Sequence, residues 1–198
     1  MTLKIRATLS IIALVFALCT LSQTASAKTS LYNDEHISIT VDIDAKAYVQ
    51  DMYDSSLLTD KQKDELKGTL HQSLVLLTAF KANPATATGV NPSIVIVLES
   101  PPESANIESP GDYINMLKTS LSAQSAEYKY SSADVTELSK IKLEGFGAKI
   151  NVQGREVKQQ YLASKLSDKI LSIALTYQTD ADKSWVIKQL STLKLVVK

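Results

Sequence analysis

The sequence predicts an α+β fold, an α/β/α sandwich with a mostly antiparallel sheet flanked by helices. Three observations carry this. The C-terminal half reads as five strand-like segments in succession, and strands that follow one another directly pair antiparallel. Helices stand on both sides of that meander, one opened by the start signature of "SPGDYINMLKTSLS" (109–122) and one beginning near Asp180. Within it, "GAKINVQGREVKQQYLA" (147–163) sets Ala148, Ile150 and Val152 against Lys149, Asn151 and Gln153. After Gly154, Val157, Tyr161 and Ala163 alternate with Glu156, Lys158 and Gln160, a period of two on each side of a turn.

The chain opens on an export signal. Lys4 and Arg6 precede the apolar run Ile11–Leu18, and "TASA" ends in Ala25-x-Ala27, the small–x–small pattern of a cleavage site. The run is shorter than the ~20 apolar residues of a membrane-spanning helix. Cleavage between Ala27 and Lys28 is expected. That leaves residues 28–198 as a single domain in the periplasm or secreted. Lipidation of Cys19 would need a small residue before it, where Leu18 stands. Once Cys19 is removed no thiol remains, which excludes disulfides, cysteine nucleophiles and cysteine metal sites. The full chain of 198 residues balances 21 basic against 21 acidic side chains. Losing Lys4 and Arg6 takes the net charge to about −2, and no basic cluster is present to bind nucleic acid.

The elements follow in order. "ISITVDI" (37–43) alternates strictly and is a strand. In "AKAYVQDMY", Tyr48, Val49, Met52 and Tyr53 fall on one face of a helix. Thr59 and Gln62 form a capping box for a second helix over about 60–70, weakened by Gly68. "LVLLTAF" (74–80) and "SIVIVLE" (93–99) are apolar strands. Ser109 as N-cap, Pro110 at the first position and Asp112 in the first turn open a helix striped by Ile114, Leu117 and Leu121. "EYKYS", "DVTELSKIKLEG", the 147–163 hairpin and "KILSIALTYQT" (169–179) are the meander. A last helix carries Trp185, Val186, Leu190 and Leu193 toward the sheet. Two loops are long, 81–92 and 100–111. The second contains Glu103 and Glu108 and no basic residue, so a charged partner there would be positive.

The stretches "LYNDEHISITVDI", "PSIVIVLES", "SPGDYINMLKTSLS" and "GREVKQQYLASKLSDKILSIALTYQTDADKSWVIKQLSTLKL" resemble the PsbP-like family in element order and patterning, over about Leu31 to Val197. The resemblance implies an α/β/α sandwich around an antiparallel sheet and a non-catalytic accessory or binding role. A helical insertion over 45–73 departs from the family pattern. No functional residue carries over, because no site motif matches.

Catalytic and metal signatures fail on spacing. His36 and His71 lie on different elements, and "NDEH" (33–36) sits on an extended segment whose neighbours point apart. "DIDAKAY" and "DADKSW" begin like calcium loops but lack the required glycine and glutamate. "STLK" (191–194) ends a helix instead of starting one, and "GFG" (145–147) opens a strand where a phosphate site needs a helix. No cofactor is expected. The polar hairpin face of Lys149, Glu156, Lys158 and Gln160 suits the solvent side of a mixed-charge sheet. Tyr161, alternating with Val157 and Ala163, packs in the core unless it serves as an aromatic platform. The reading is a non-catalytic accessory protein of the bacterial cell envelope that recognises a protein partner. Its candidate binding residues are Glu103, Glu108, Lys149, Lys158 and Tyr161. The alternatives are a carrier of a small apolar ligand and, less favoured, a hydrolase using serine with His36 or His71.

Overall fold

The computed structural model describes residues 23–24, 29–43, 47–52, 73–101, 105–123, 127–152 and 154–198. The helix expected over about 60–70, His71, Glu103, Cys19, and Ala27 and Lys28 of the expected cleavage site lie outside the described residues. The described chain is α+β. In order it runs β1 (Gln23–Thr24), β2 (Thr29–Asn33), β3 (Ile37–Val41), β4 (Tyr48–Met52), β5 (Ser73–Phe80), β6 (Ser93–Glu99), α1 (Pro110–Ser122) and β7 (Lys129–Ser132). It continues through β8 (Glu137–Leu138), β9 (Ile141–Lys142), β10 (Glu144–Val152), β11 (Arg155–Leu166), β12 (Lys169–Tyr177), α2 (Asp180–Ser191) and β13 (Lys194–Val197).

Eight strands form one antiparallel sheet in the order β1-β4-β5-β6-β12-β11-β10-β7. A second sheet, β13-β3-β2, has three strands, and β8 with β9 makes a small hairpin. Strand alternation divides the core between the two faces of the large sheet. On one face Tyr113, Ile114, Leu117 and Leu121 of α1 pack on Phe146, Ala148, Tyr161, Ala163 and Ile170. On the other, Ile94, Ile96, Leu98, Leu162, Leu171, Ile173 and Leu175 meet Val186 and Leu190 of α2 and Ile37, Ile39 and Leu195 of the three-stranded sheet. Helices therefore cover both faces of a mostly antiparallel sheet.

Both helices begin where their capping residues stand. Ser109 accepts from the Asp112 amide while the Asp112 carboxylate accepts from the Ser109 amide, a reciprocal capping box behind Pro110. Thr179 and Asp182 repeat the device at α2. The stripe Ile114, Leu117 and Leu121 is buried as its spacing predicts, as are Val186, Leu190 and Leu193.

Tyr48–Met52, expected as helix, is strand β4. Its apolar residues Tyr48, Val49 and Met52 break a period of two, so alternation alone does not show the strand. Pairing decides it: Tyr48 and Val49 lie opposite Phe80 and Ala79 of β5, with a bulge between Val49 and Asp51 that shifts the register. Val49 is buried there. Lys194–Val197, which follows α2, pairs antiparallel with Ile37–Thr40 of β3. Gln23–Thr24, within the segment expected to be removed on export, pair with Val49 and Tyr48.

Candidate functional site: a polar cleft beside an open sheet edge

Among the described residues the sheet ends at β7. Its four residues, Lys129–Ser132, are all exposed and pair only with β10 among the described residues. The register places Lys149 of β10 directly opposite Lys129 on one side and Lys158 of β11 on the other. Tyr177 of β12 lies opposite Lys158. Alternation puts this row on the same face as Ser131, Gly147 and Gln160.

All of these side chains except Lys129 line a cleft of about 220 Å³, which also takes in Lys183 at the start of α2. Gly147 is needed at its floor. A Cβ there would lie 2.4 Å from Ser131 Oγ and 3.1 Å from the Ser132 carbonyl oxygen, so only glycine lets Ser131 lie across the strand. Gln160 forms the inner wall. Its Nε2 donates to Asp134 Oδ2 at 2.9 Å and to the Tyr177 hydroxyl at 3.1 Å, and its Oε1 accepts from the Asp134 amide at 2.9 Å. Lys183 reaches Asp134 at 2.6 Å, and that hydrogen bond holds its ammonium above the ordinary lysine pKa. Lys149 lies 3.5 Å from Glu156. Lys129 and Lys158 have no acidic partner among the described residues.

The reverse side of the same strands is aromatic. Tyr128 stacks on Tyr130 at 6.1 Å, Tyr130 meets Phe146 edge-on at 5.4 Å, and Phe146 stacks on Tyr161 at 5.1 Å. Lys118 Nζ lies 4.9 Å from the centre of the Phe146 ring. The Tyr130 hydroxyl shares a 2.9 Å hydrogen bond with Ser122 Oγ at the end of α1. Tyr161 is the buried end of this ladder. Its hydroxyl donates to Gln159 Oε1 at 3.0 Å, and burial pushes its pKa well up.

The long loop 81–92 lies at the cleft's end of the molecule and is pinned throughout. Asn91 bridges the Ala82 amide and carbonyl, Asn83 accepts from the Ala85 amide, and Lys81 Nζ pairs with Asp182 at 2.8 Å. Burial alone would push the Asp182 carboxyl up, but Lys81 and Thr179 outweigh it and hold the pKa below the ordinary value. The Arg155 guanidinium rests where a side chain at Gly89 would be, which ties this loop to the hairpin tip.

The structure thus separates the residues singled out in the sequence. Lys149 and Lys158 share the cleft. Tyr161 sits beneath α1 on the opposite face. Glu108 is at the other end of the sheet, where its amide donates to Asp112 and its carbonyl accepts from Lys165 Nζ at 2.8 Å. Gln160, assigned by alternation to the solvent face, is 1% exposed. The strand runs from the exposed tip into the centre of the sheet, so the face that is wet at Lys158 is closed at Gln160 by β12 and the 133–135 segment. Gln160, Tyr177 and Lys183 are not among the candidate binding residues read from the sequence. The signal was present in the glutamine pair "QQ" (159–160), placed inside a strand too long to be wet along its whole length.

A second polar cluster also escaped sequence reasoning. Glu99 ends the apolar run "SIVIVLE", and its carboxylate is held under α1 by the Tyr113 hydroxyl at 2.5 Å. Tyr113 lies 3.1 Å from Ser172 Oγ. Burial pushes Glu99 up to about 7 against the opposing effect of the Tyr113 hydrogen bond. His36 is exposed beside Glu35 at 3.3 Å. Among the described residues no three His, Cys, Asp or Glu side chains group to hold a metal ion, and no helix is long and apolar enough to cross a membrane.

No family model and no curated protein matches the chain. Among solved structures it is similar to LpqN, a protein involved in cell envelope biogenesis of Mycobacterium tuberculosis. The identity is 10%, over 89% of this chain and 92% of that one, with a TM-score of 0.46.

Proposed function

We propose that this chain is an exported, non-catalytic binding protein of the bacterial cell envelope, of the PsbP-like kind, and that it recognises a protein partner at the β7 edge of its large sheet. One observation carries the reading. An exposed edge strand is flanked by a lysine row and polar cleft on one face and by an aromatic ladder on the other. Tyrosines and lysine stems present apolar area with polar tips, which is what a partner surface uses. The charged and apolar halves both converge on the same four residues. Export follows from the charged, apolar and small-residue segments that end at Ala27. The polar lining of the cleft favours a protein surface over a small apolar guest.

The reading is tested by placing a photo-crosslinking amino acid at Lys129 in cells and, as a control, at Glu35, which is exposed on a distant turn. A discrete, identified protein adduct from position 129 that is absent from position 35 is expected. No adduct, or the same adducts from both positions, would sink the proposal.

A further inference from the structure

We propose that β7 is completed by an extended segment of the partner that alternates acidic and apolar residues. Its acidic side chains lie beside Lys129, on the face that carries the lysine row of Lys149 and Lys158, and its apolar ones beside Tyr128 and Tyr130. This rests on the reading of β7 as the partner edge and names the chemistry that edge selects.

The backbone supplies the first argument. Apart from the ladder to β10, Lys129–Ser132 form no backbone hydrogen bonds among the described residues, so one side of the strand offers its amides and carbonyls to an added strand. Such a strand alternates as β7 does. Its residues would fall in turn beside Lys129 and Ser131 on the cleft face and beside Tyr130 and Ser132 on the aromatic face.

Charge supplies the second. Like charges directly opposite each other in a ladder are destabilising, yet Lys149 faces a lysine on both sides. A single lysine on the outer strand is enough to guard an edge against unwanted pairing. Lys149 and Lys158 lie one and two strands inward and add nothing to that protection. A carboxylate beside Lys129 would relieve the repulsion along the row and find a further donor in Ser131.

The rim chooses between a peptide and an anionic membrane. Asp134, Glu156 and Asp180 border the lysines, with Asp134 held by Lys183 and Glu156 beside Lys149. A broad anionic surface would meet these carboxylates as well as the lysines. A strand added beside β7 meets Lys129 at the edge and leaves Glu156 two strands inward on β11.

The test uses the mature chain with three probes: a blocked seven-residue peptide alternating Asp and Val, its Lys–Val counterpart, and vesicles containing phosphatidylglycerol. Fluorescence anisotropy reads binding, and hydrogen exchange reads the β7 amides. The Asp–Val peptide is expected to bind saturably, to lose affinity as salt rises, and to slow exchange at Lys129–Ser132. The double variant Lys149→Glu, Lys158→Glu is expected to bind it about tenfold more weakly and to prefer the Lys–Val peptide, a reversal that a misfolded protein would not show. Equal binding of both peptides, no binding, binding that leaves the β7 amides unprotected, or vesicles that displace the peptide from the lysine row would each overturn the proposal. If the crosslink at position 129 still captures an identified protein in that case, the partner edge stands and its acidic–apolar selectivity is wrong. If the crosslink fails, the underlying reading is wrong.

Discussion

The Tyr113 hydroxyl donates a 2.5 Å hydrogen bond to Glu99 Oε1, joining the first turn of α1 to the end of β6 inside the sheet's helix-covered face. Tyr113 is buried and Glu99 half-buried, so the contact is largely shielded from water. A carboxylate there loses solvation that one tyrosine does not fully replace, and its proton is held until the pH nears 7.

Stability should therefore fall as pH rises across that range. Glu99 titrates near 4.5 when unfolded and near 7 when folded. Its protonated form favours the native state. This contribution is fully present below pH 4.5, is lost as pH rises through 7, and amounts to up to about 3 kcal/mol. The lowered carboxyls act outside this window. Asp112, held down chiefly by Ser109, and Asp182 both lose their contribution only as pH falls below the ordinary carboxylate range. Urea unfolding at pH 5 and pH 8 measures the difference. Glu99→Gln should abolish most of the loss at pH 8, and a variant with the same pH dependence as the natural chain would refute the assignment.

Lys158→Glu should stabilise the free protein by about 0.5 kcal/mol, by replacing a like-charge neighbour of Lys149 with an opposite one. The gain should vanish in 1 M salt, where screening acts within about 3 Å. Thermal melts at low and high salt decide it. A gain that survives salt would have to come from packing or strand propensity instead of charge.

Gln160→Leu should destabilise by about 1–3 kcal/mol, because it strands the Asp134 amide and the Tyr177 hydroxyl at the inner wall of the cleft. Lys158→Ala, one turn of the alternation outward, should change stability by less than about 0.5 kcal/mol. Denaturant midpoints of the two variants, compared at equal slope, check the contrast. Equal costs would mean that the glutamine is not an anchor of the cleft.

What the sequence revealed depended on how far each signal is local. The capping residue Ser109 announced its helix because a cap satisfies amides within the next three residues, and Thr179 carries the same local signal. The 147–163 hairpin was legible because alternation and Gly154 both lie within it. Tyr48–Met52 reads as helix because the bulge after Val49 breaks the alternation, and only pairing with the distant β5 settles the choice. The cleft was half visible. Lys149 and Lys158 stood out as polar strand residues, but their confrontation with Lys129 is a matter of register between strands that no single segment encodes. Glu99 and Tyr113, 14 positions apart, meet only because α1 folds back over β6 and β12.

The two ends of β10 make opposite demands on glycine. Gly154, in the turn after β10, has φ +78° and nothing within 4 Å of a Cβ built on it. Only the backbone conformation constrains it, and asparagine tolerates that region. Gly154→Asn should cost less than about 1 kcal/mol, and Gly154→Val more, since a β-branched residue is poorly suited to positive φ. At Gly145 the constraint is space. A Cβ would lie 2.3 Å from the Tyr161 carbonyl oxygen and 3.1 Å from Leu162 Cα, both backbone atoms of the paired strand. Neither can swing aside without breaking the β10–β11 ladder. Gly145→Ala should therefore cost about 1–3 kcal/mol or more, even though alanine suits a strand no worse than glycine does. Chemical denaturation of the three variants gives the ranking Gly154→Asn, Gly154→Val, Gly145→Ala in order of increasing cost. If Gly145→Ala proves as stable as the natural chain, β10 and β11 are less closely apposed than this register requires, and the placement of Lys149 opposite Lys158 falls with it.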